Sequence, residues 1–220
     1  GIQNNGKTVF TFDGASCLYD PEGRAVQAAS RFEETLLTAD LAPTSDRPFG
    51  EPVQTRDDDV ADLYAALVYG AGRFLTQSGL TRVVVGASGG IDSAVAATLF
   101  SRIVPRANLL LANLPSRHNS GTTIRLARDL AAKLGCFYAE IPIEESAALT
   151  ARQVDGLVIR TLDGTRRQPL RLTDFMKENV QARDRSSRVL AALACAFGGV
   201  FTCNANKAEA TVGYTTLYGD

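Results

Sequence analysis

Residues 83–100, "VVVGASGGIDSAVAATLF", decide how the chain folds. Val83-Val84-Val85 is a β-branched apolar run, the pattern of a strand buried on both faces. It opens into a turn formed by Gly86, Ala87, Ser88, Gly89 and Gly90, and the small residues after Ile91 suit a helix. Ordering glycine costs more backbone entropy than ordering any other residue, so three glycines in five positions are not ordinary punctuation. A Walker A loop needs a lysine, and none lies between Gly86 and Ser93; the dinucleotide fingerprint needs a different glycine spacing. What remains is a set of backbone N–H groups at a helix N-terminus, which cradles an anion by geometry and dipole. Ser88 and Ser93 add hydroxyl donors. Asp92 would repel phosphate unless a divalent cation bridges the two, so the set reads as a cradle for magnesium-bound pyrophosphate.

Outward from this turn, apolar strands alternate with helices. Strands are expected at 83–85, 109–114, 137–141 and 200–203, and helices at 92–103, 122–134 and about 174–196. This alternation predicts an α/β fold with a doubly wound parallel sheet and flanking helices. Ligands in such sheets bind at the carboxyl ends of the strands, where this turn lies. The helix expected from 57 carries Val60, Leu63, Leu67, Ala71 and Phe74 at helical spacing and stops at Gly79. Before it, residues 7–41 read as β structure, with strands at 9–12 and 35–41 and a turn at 20–23. Residues 42–56, with Pro43, Pro48 and Pro52, read as a linker.

Composition narrows the function classes. Hydrophobic residues make up 45% and charged residues 21%, as in soluble globular proteins. The net charge of −1 leaves no footprint for nucleic acid. Arginine is concentrated between 152 and 188, which reads either as a solvated helix face or as a phosphate-facing wall. The four cysteines form no Cys-x-x-Cys pair, and three sit in apolar runs as small core residues would. His118 is the only histidine, which argues against a Cys/His zinc site and a histidine-based triad. No signal peptide or membrane-length apolar run is visible, so the expected setting is the reduced cytoplasm, with no membrane partner.

"SGGIDS", Ser88 to Ser93, resembles the pyrophosphate loop of the ATP-pyrophosphatases. Within that superfamily, "NLPSRHNS" (113–120), "ENVQARDR" (178–185) and "NANKAEATVGYTTLYGD" (204–220) resemble segments of the glutamine-dependent NAD synthetases. "FDGAS", "DPEGRAV" and "RFEETLLTADL" resemble the last strands of the nitrilase-like glutaminase domain that precedes the synthetase there. The resemblance implies three parts: glutaminase strands at 1–41, the linker at 42–56, and a C-terminally incomplete synthetase domain at 57–220. It also implies an interior piece of a longer enzyme.

The implied reaction is adenylation of deamido-NAD by ATP, followed by attack of ammonia to give NAD, AMP and pyrophosphate. In the full-length enzyme the ammonia comes from glutamine, and a homo-oligomer is expected. Gly86, Ala87, Ser88, Gly89, Gly90, Ile91, Asp92, Ser93 and Asn204 are then expected to bind ATP. Asn179, Arg183 and Glu209 would bind deamido-NAD, and Asp92 with Glu209 would hold the cofactor Mg2+ and be catalytic. Asn204 stands where many members have threonine, so either its amide takes over that contact or ATP is bound more weakly there. Cys17 lacks a nearby base, so the chain itself is expected not to use glutamine. Another ATP-pyrophosphatase and a non-catalytic ATP-binding module are the alternatives. Two magnesium carboxylates argue against the module. No cysteine sits in a loop fit for sulfur transfer, which argues against a thiolating enzyme.

Overall fold

The computed structural model describes residues 11–39, 59–116 and 119–213, and the chain divides into two compact units between Leu80 and Thr81. In the first unit, β1 (Cys17–Tyr19) and β2 (Ala25–Ala28) form an antiparallel hairpin around the expected turn. Asp20 builds that turn: its buried carboxylate accepts from the backbone N–H groups of Glu22 (3.1 Å) and Arg24 (2.8 Å) and from Arg24 Nε (2.7 Å). Helix α1 (Asp59–Gln77) joins this unit through an Arg31–Asp62 ion pair and a tilted Phe32–Tyr69 ring contact. By contacts, α1 groups with the hairpin rather than with the α/β part that the sequence opened at 57. Its helical spacing is as expected, but Val60, Leu63, Leu67 and Phe74 are exposed and only Leu75 is buried.

Of the strand expected at 35–41, residues 35–39 have no regular structure, and 40–41 lie outside the described residues. The same holds for 9–12, of which 11–12 are irregular and 9–10 lie outside. β propensity makes a strand only where a partner edge is in reach. The linker at 42–56 and His118 also lie outside the described residues.

The second unit runs β3 (Val83–Gly86), α2 (Ile91–Ile103), β4 (Leu109–Asn113), α3 (Gly121–Leu134), β5 (Phe137–Glu140) and α4 (Glu144–Val154). A small antiparallel hairpin follows, β6 (Val158–Arg160) with β7 (Arg167–Pro169), then α5 (Asp174–Arg183). A π-helical stretch (Asp184–Leu190) leads into α6 (Ala191–Phe197), β8 (Val200–Phe201) and α7 (Lys207–Val212). The sheet order is β5-β4-β3-β8, and every neighbouring pair is parallel. From β3 the chain steps outward to β4 and β5, then returns to place β8 on the other side of β3. That reversal is the switch point where an open sheet leaves a crevice for ligands.

The strands are dry. Val83, Val84, Val85, Leu109 and Leu111 are fully buried, and α2 and α3 pack against β3–β5. Val84, Leu110 and Ala112 pack with Ile143, Val189, Leu190 and Ala194.

The long helix expected near 174–196 is present as one α5–π–α6 run. Its middle is fastened to α4 by polar groups. Asp184 accepts from Arg188 Nε (2.7 Å) and Nη2 (2.8 Å) and from Ser146 Oγ (2.5 Å), and Arg188 also donates to Ser146 Oγ (2.5 Å). The Arg188 guanidinium holds the Asp184 carboxyl below its usual range, against the opposing effect of burial.

Helix α4 and the β6–β7 hairpin were not legible in the sequence. The hairpin carries Arg160, Arg166 and Arg167, all exposed, so that part of the arginine-rich stretch is a solvated hairpin and not a helix face. In its turn, the Thr161 hydroxyl and the Thr165 N–H and hydroxyl pull Asp163 down to about 2. The cysteines are free, and none is buried: Cys17 and Cys136 are half-buried, Cys195 and Cys203 exposed. Apolar sequence neighbours therefore misplaced them as core residues.

Candidate nucleotide-binding site

The glycine-rich loop leaves β3 at the switch point and is pinned from both sides. Toward β4, Ala87 N–H donates to Ala112 O (2.8 Å), and the Asn113 amide donates to Ala87 O (2.6 Å). Toward β8, the Asn204 amide donates to Gly86 O (2.8 Å) and accepts from the Thr202 hydroxyl (2.8 Å). Within the loop, Gly90 N–H donates to Ser88 Oγ (3.2 Å), and Ser93 Oγ donates to Gly90 O (3.0 Å). Ser93 is buried, so its hydroxyl holds the loop in shape, whereas Ser88 is exposed. Gly89 has φ +86°, and a Cβ there would lie 2.2 Å from Thr123 O, so only glycine fits between loop and α3. Gly90 starts α2 with no side-chain cap, leaving the helix end to whatever occupies the loop.

A cavity of about 270 Å³ opens over the loop, lined by Gly86, Ala87, Ser88, Asn113, Asn119 and Arg185. Asn113 is 1% exposed and its Oδ1 has no hydrogen-bond partner among the described residues. Ser88, Asn113, Asn119 and Arg185 bring a few polar groups to a lining that is otherwise largely apolar, the usual make-up of a small-ligand pocket.

The two expected metal carboxylates are linked through one residue, Asn206. Asp92, in the first turn of α2, accepts from the Asn206 amide (3.0 Å). Asn206 Oδ1 accepts from Glu209 N–H (2.8 Å), and Glu209 Oε2 accepts from Asn206 N–H (3.0 Å), a reciprocal capping box at the start of α7. Asp92 Oδ2 and Glu209 Oε1 make no hydrogen bond among the described residues. Two carboxylates with one open oxygen each suit Mg2+, which takes one or two carboxylates and completes its shell with phosphate and water. Among the described residues, no group of three or more His, Cys, Asp and Glu forms a closed metal cage.

Asn179 and Arg183 are half-buried on α5, and the Asn179 amide donates to Phe175 O (2.9 Å). Neither lines the loop cavity; Arg185 does. Asn113, Arg185 and Asn206 were missed as site residues. Asn113 had a signal, a polar residue closing the apolar run "LLLAN". Asn206 had one too, the Asn-x-x-Glu pattern of a capping box. Arg185 lies inside a quoted motif, but π winding changes which residues of that helix face one way.

A parallel sheet opening into an uncapped glycine-rich loop at its switch point, with two linked carboxylates beside it, defines a doubly wound α/β domain with its candidate site at the carboxyl ends of the strands. The chain belongs to the NAD synthase family, whose sequence model matches residues 63–220. It is 35% identical over 211 residues to the glutamine-dependent NAD(+) synthetase of Rhodobacter capsulatus, covering 95% of this chain and 36% of that protein. It is 32% identical to the Synechocystis protein of the same name, covering 99% of this chain and 37% of that one. Among solved structures, the glutamine-dependent NAD+ synthetase of Acinetobacter baumannii in complex with ADP superposes with a TM-score of 0.80 at 26% identity, covering 95% of this chain and 38% of that one. The NH3-dependent NAD synthetase of Campylobacter jejuni in complex with nitrate gives 0.62 at 25% identity, covering 74% and 63%. The chain thus spans a little over a third of the length of these curated relatives. Among the described residues no helix is long and apolar enough to cross a membrane.

Proposed function

We propose that the chain carries the ATP-pyrophosphatase part of a glutamine-dependent NAD synthetase. Residues 57–220 would form that part, and 1–41 the end of a glutaminase region joined by 42–56. Likeness to the curated relatives over 95% of the chain supports the inclusion of the N-terminal residues. The observation that carries the reading is the link between the loop carboxylate and a second carboxylate beyond β8, since a simple nucleotide cradle needs neither.

In the proposed reaction the nicotinate carboxylate of deamido-NAD attacks the α-phosphorus of ATP in line, and pyrophosphate leaves. Ammonia then attacks the acyl carbon, loses a proton and expels AMP. The loop from Gly86 to Ser93 and the uncapped start of α2 hold the leaving pyrophosphate, stabilising its growing charge with fixed N–H dipoles. Asn204 was expected to contact ATP, but its amide is already bonded to Gly86 O and Thr202 Oγ1, so its proposed part is to shape the loop that takes ATP. Asp92 and Glu209 would hold Mg2+, which supplies charge neutralisation across the polyphosphate. Asn179 and Arg183, with Glu209, are assigned to deamido-NAD.

The test supplies the chain with ATP, magnesium, deamido-NAD and ammonium and follows pyrophosphate and NAD. The expected result is slow pyrophosphate release, in step with NAD and dependent on deamido-NAD. Release of orthophosphate in place of pyrophosphate, or pyrophosphate release indifferent to deamido-NAD, would overturn the reading.

A further inference from the structure

The two carboxylates of the site arrive on different elements, Asp92 on α2 and Glu209 on α7, and one residue links them: the Asn206 side chain bonds the Asp92 carboxylate and the Glu209 backbone N–H, and the Asn206 backbone N–H bonds the Glu209 carboxylate. We infer that Asn206 is the positioning residue that sets the spacing of the cation-holding carboxylates. The inference rests on the proposed assignment of Asp92 and Glu209 to a divalent cation. The amide suits the place because it is at once donor and acceptor. Nδ2 faces a carboxylate oxygen of Asp92, while Oδ1 faces the N–H of Glu209. The reversed amide would set oxygen against oxygen and N–H against N–H, so both partners fix its orientation.

Its neutrality matters as much. A lysine or arginine there would compete with the cation for the same carboxylates, whereas an amide orients Asp92 and leaves both charges in place. The hydrogen bonds fall on one oxygen of each carboxylate, Asp92 Oδ1 and Glu209 Oε2. The other oxygens, Oδ2 and Oε1, are left to the cation. Groups that orient a metal's ligands commonly change its affinity by about ten- to a hundred-fold when removed.

Asn206 also caps α7, so the test must separate capping from bridging. Asn206→Ser keeps a side-chain oxygen able to accept from Glu209 N–H, since serine is as good a cap as asparagine. It is too short to reach Asp92. Asn206→Thr repeats the test with a second capping residue should the serine variant fold poorly. The probe is Mn2+ titrated by electron paramagnetic resonance into the chain saturated with α,β-methylene-ATP, alongside nucleotide affinity in EDTA. The expected result is Mn2+ binding weakened about ten- to a hundred-fold, with nucleotide affinity in EDTA and thermal unfolding unchanged. Asp92→Ala, run in parallel, should weaken Mn2+ at least as much. Wild-type Mn2+ affinity in the serine and threonine variants, with Asp92→Ala impaired, would overturn the role of Asn206 alone. Wild-type affinity in Asp92→Ala as well would overturn the carboxylate assignment beneath it.

Discussion

Gly89→Ala is the sharpest perturbation of the loop. Two costs combine. A non-glycine residue at φ +86° sits in the left-handed region, which costs about 1–2 kcal/mol. The added methyl would also lie 2.2 Å from Thr123 O and 2.8 Å from Thr123 Cα, against an ordinary carbon–oxygen approach of about 3.3 Å. Backbone must therefore shift by about 1 Å at the start of α3, a packing strain of about 1–3 kcal/mol. The total is about 2–5 kcal/mol, or a fall in Tm of roughly 4–20 °C for a chain of this size. The control is Gly156→Ala, where φ is +83° and nothing lies within 4 Å of the added methyl, so only the conformational cost applies. Thermal unfolding by circular dichroism compares the two, and calorimetry measures ATP affinity, which should fall in Gly89→Ala because the loop N–H groups are displaced. If Gly89→Ala is no less stable than Gly156→Ala and binds ATP like the wild type, the wedge between loop and α3 is not what demands glycine.

Asp184 should make stability acid-sensitive. Its folded pKa is lowered, first by Arg188, so its contribution is complete above the ordinary carboxylate pKa and is lost as pH falls through the folded value. Urea unfolding should show Asp184→Asn less stable by about 1–3 kcal/mol at pH 7, the gap to wild type closing at strongly acid pH; a gap that is constant with pH would refute the pairing. Arg185→Ala should weaken ATP by about ten- to a hundred-fold, the cost of one charge-assisted contact, while Arg183→Ala should weaken deamido-NAD more than ATP. Calorimetry with each ligand decides, and equal losses of both ligands in both variants would show that these arginines only support the helix.

Local chemistry made the central part legible in advance. The Val83–Val85 run, the glycines at 86, 89 and 90 and the small residues of α2 each act within a few positions, so strand, loop and helix follow from residues adjacent in sequence. The asparagine–glutamate pattern at 206–209 is equally local and sets the start of α7, a helix not among those expected. What sequence could not supply was pairing. Residues 35–39 have the composition of a strand, yet they pair with no strand among the described residues. Helix α4 offered only a short polar pattern, and its place depends on Ser146 meeting Asp184 thirty-eight residues later. Sheet order decided the site itself: only when β8 lies beside β3 can Asn204 reach Gly86 and Asn206 reach Asp92, 114 positions away. A hydrogen bond between side chains so far apart leaves no periodicity in the chain, because it is created by the closing of the sheet and not by either segment's own preference.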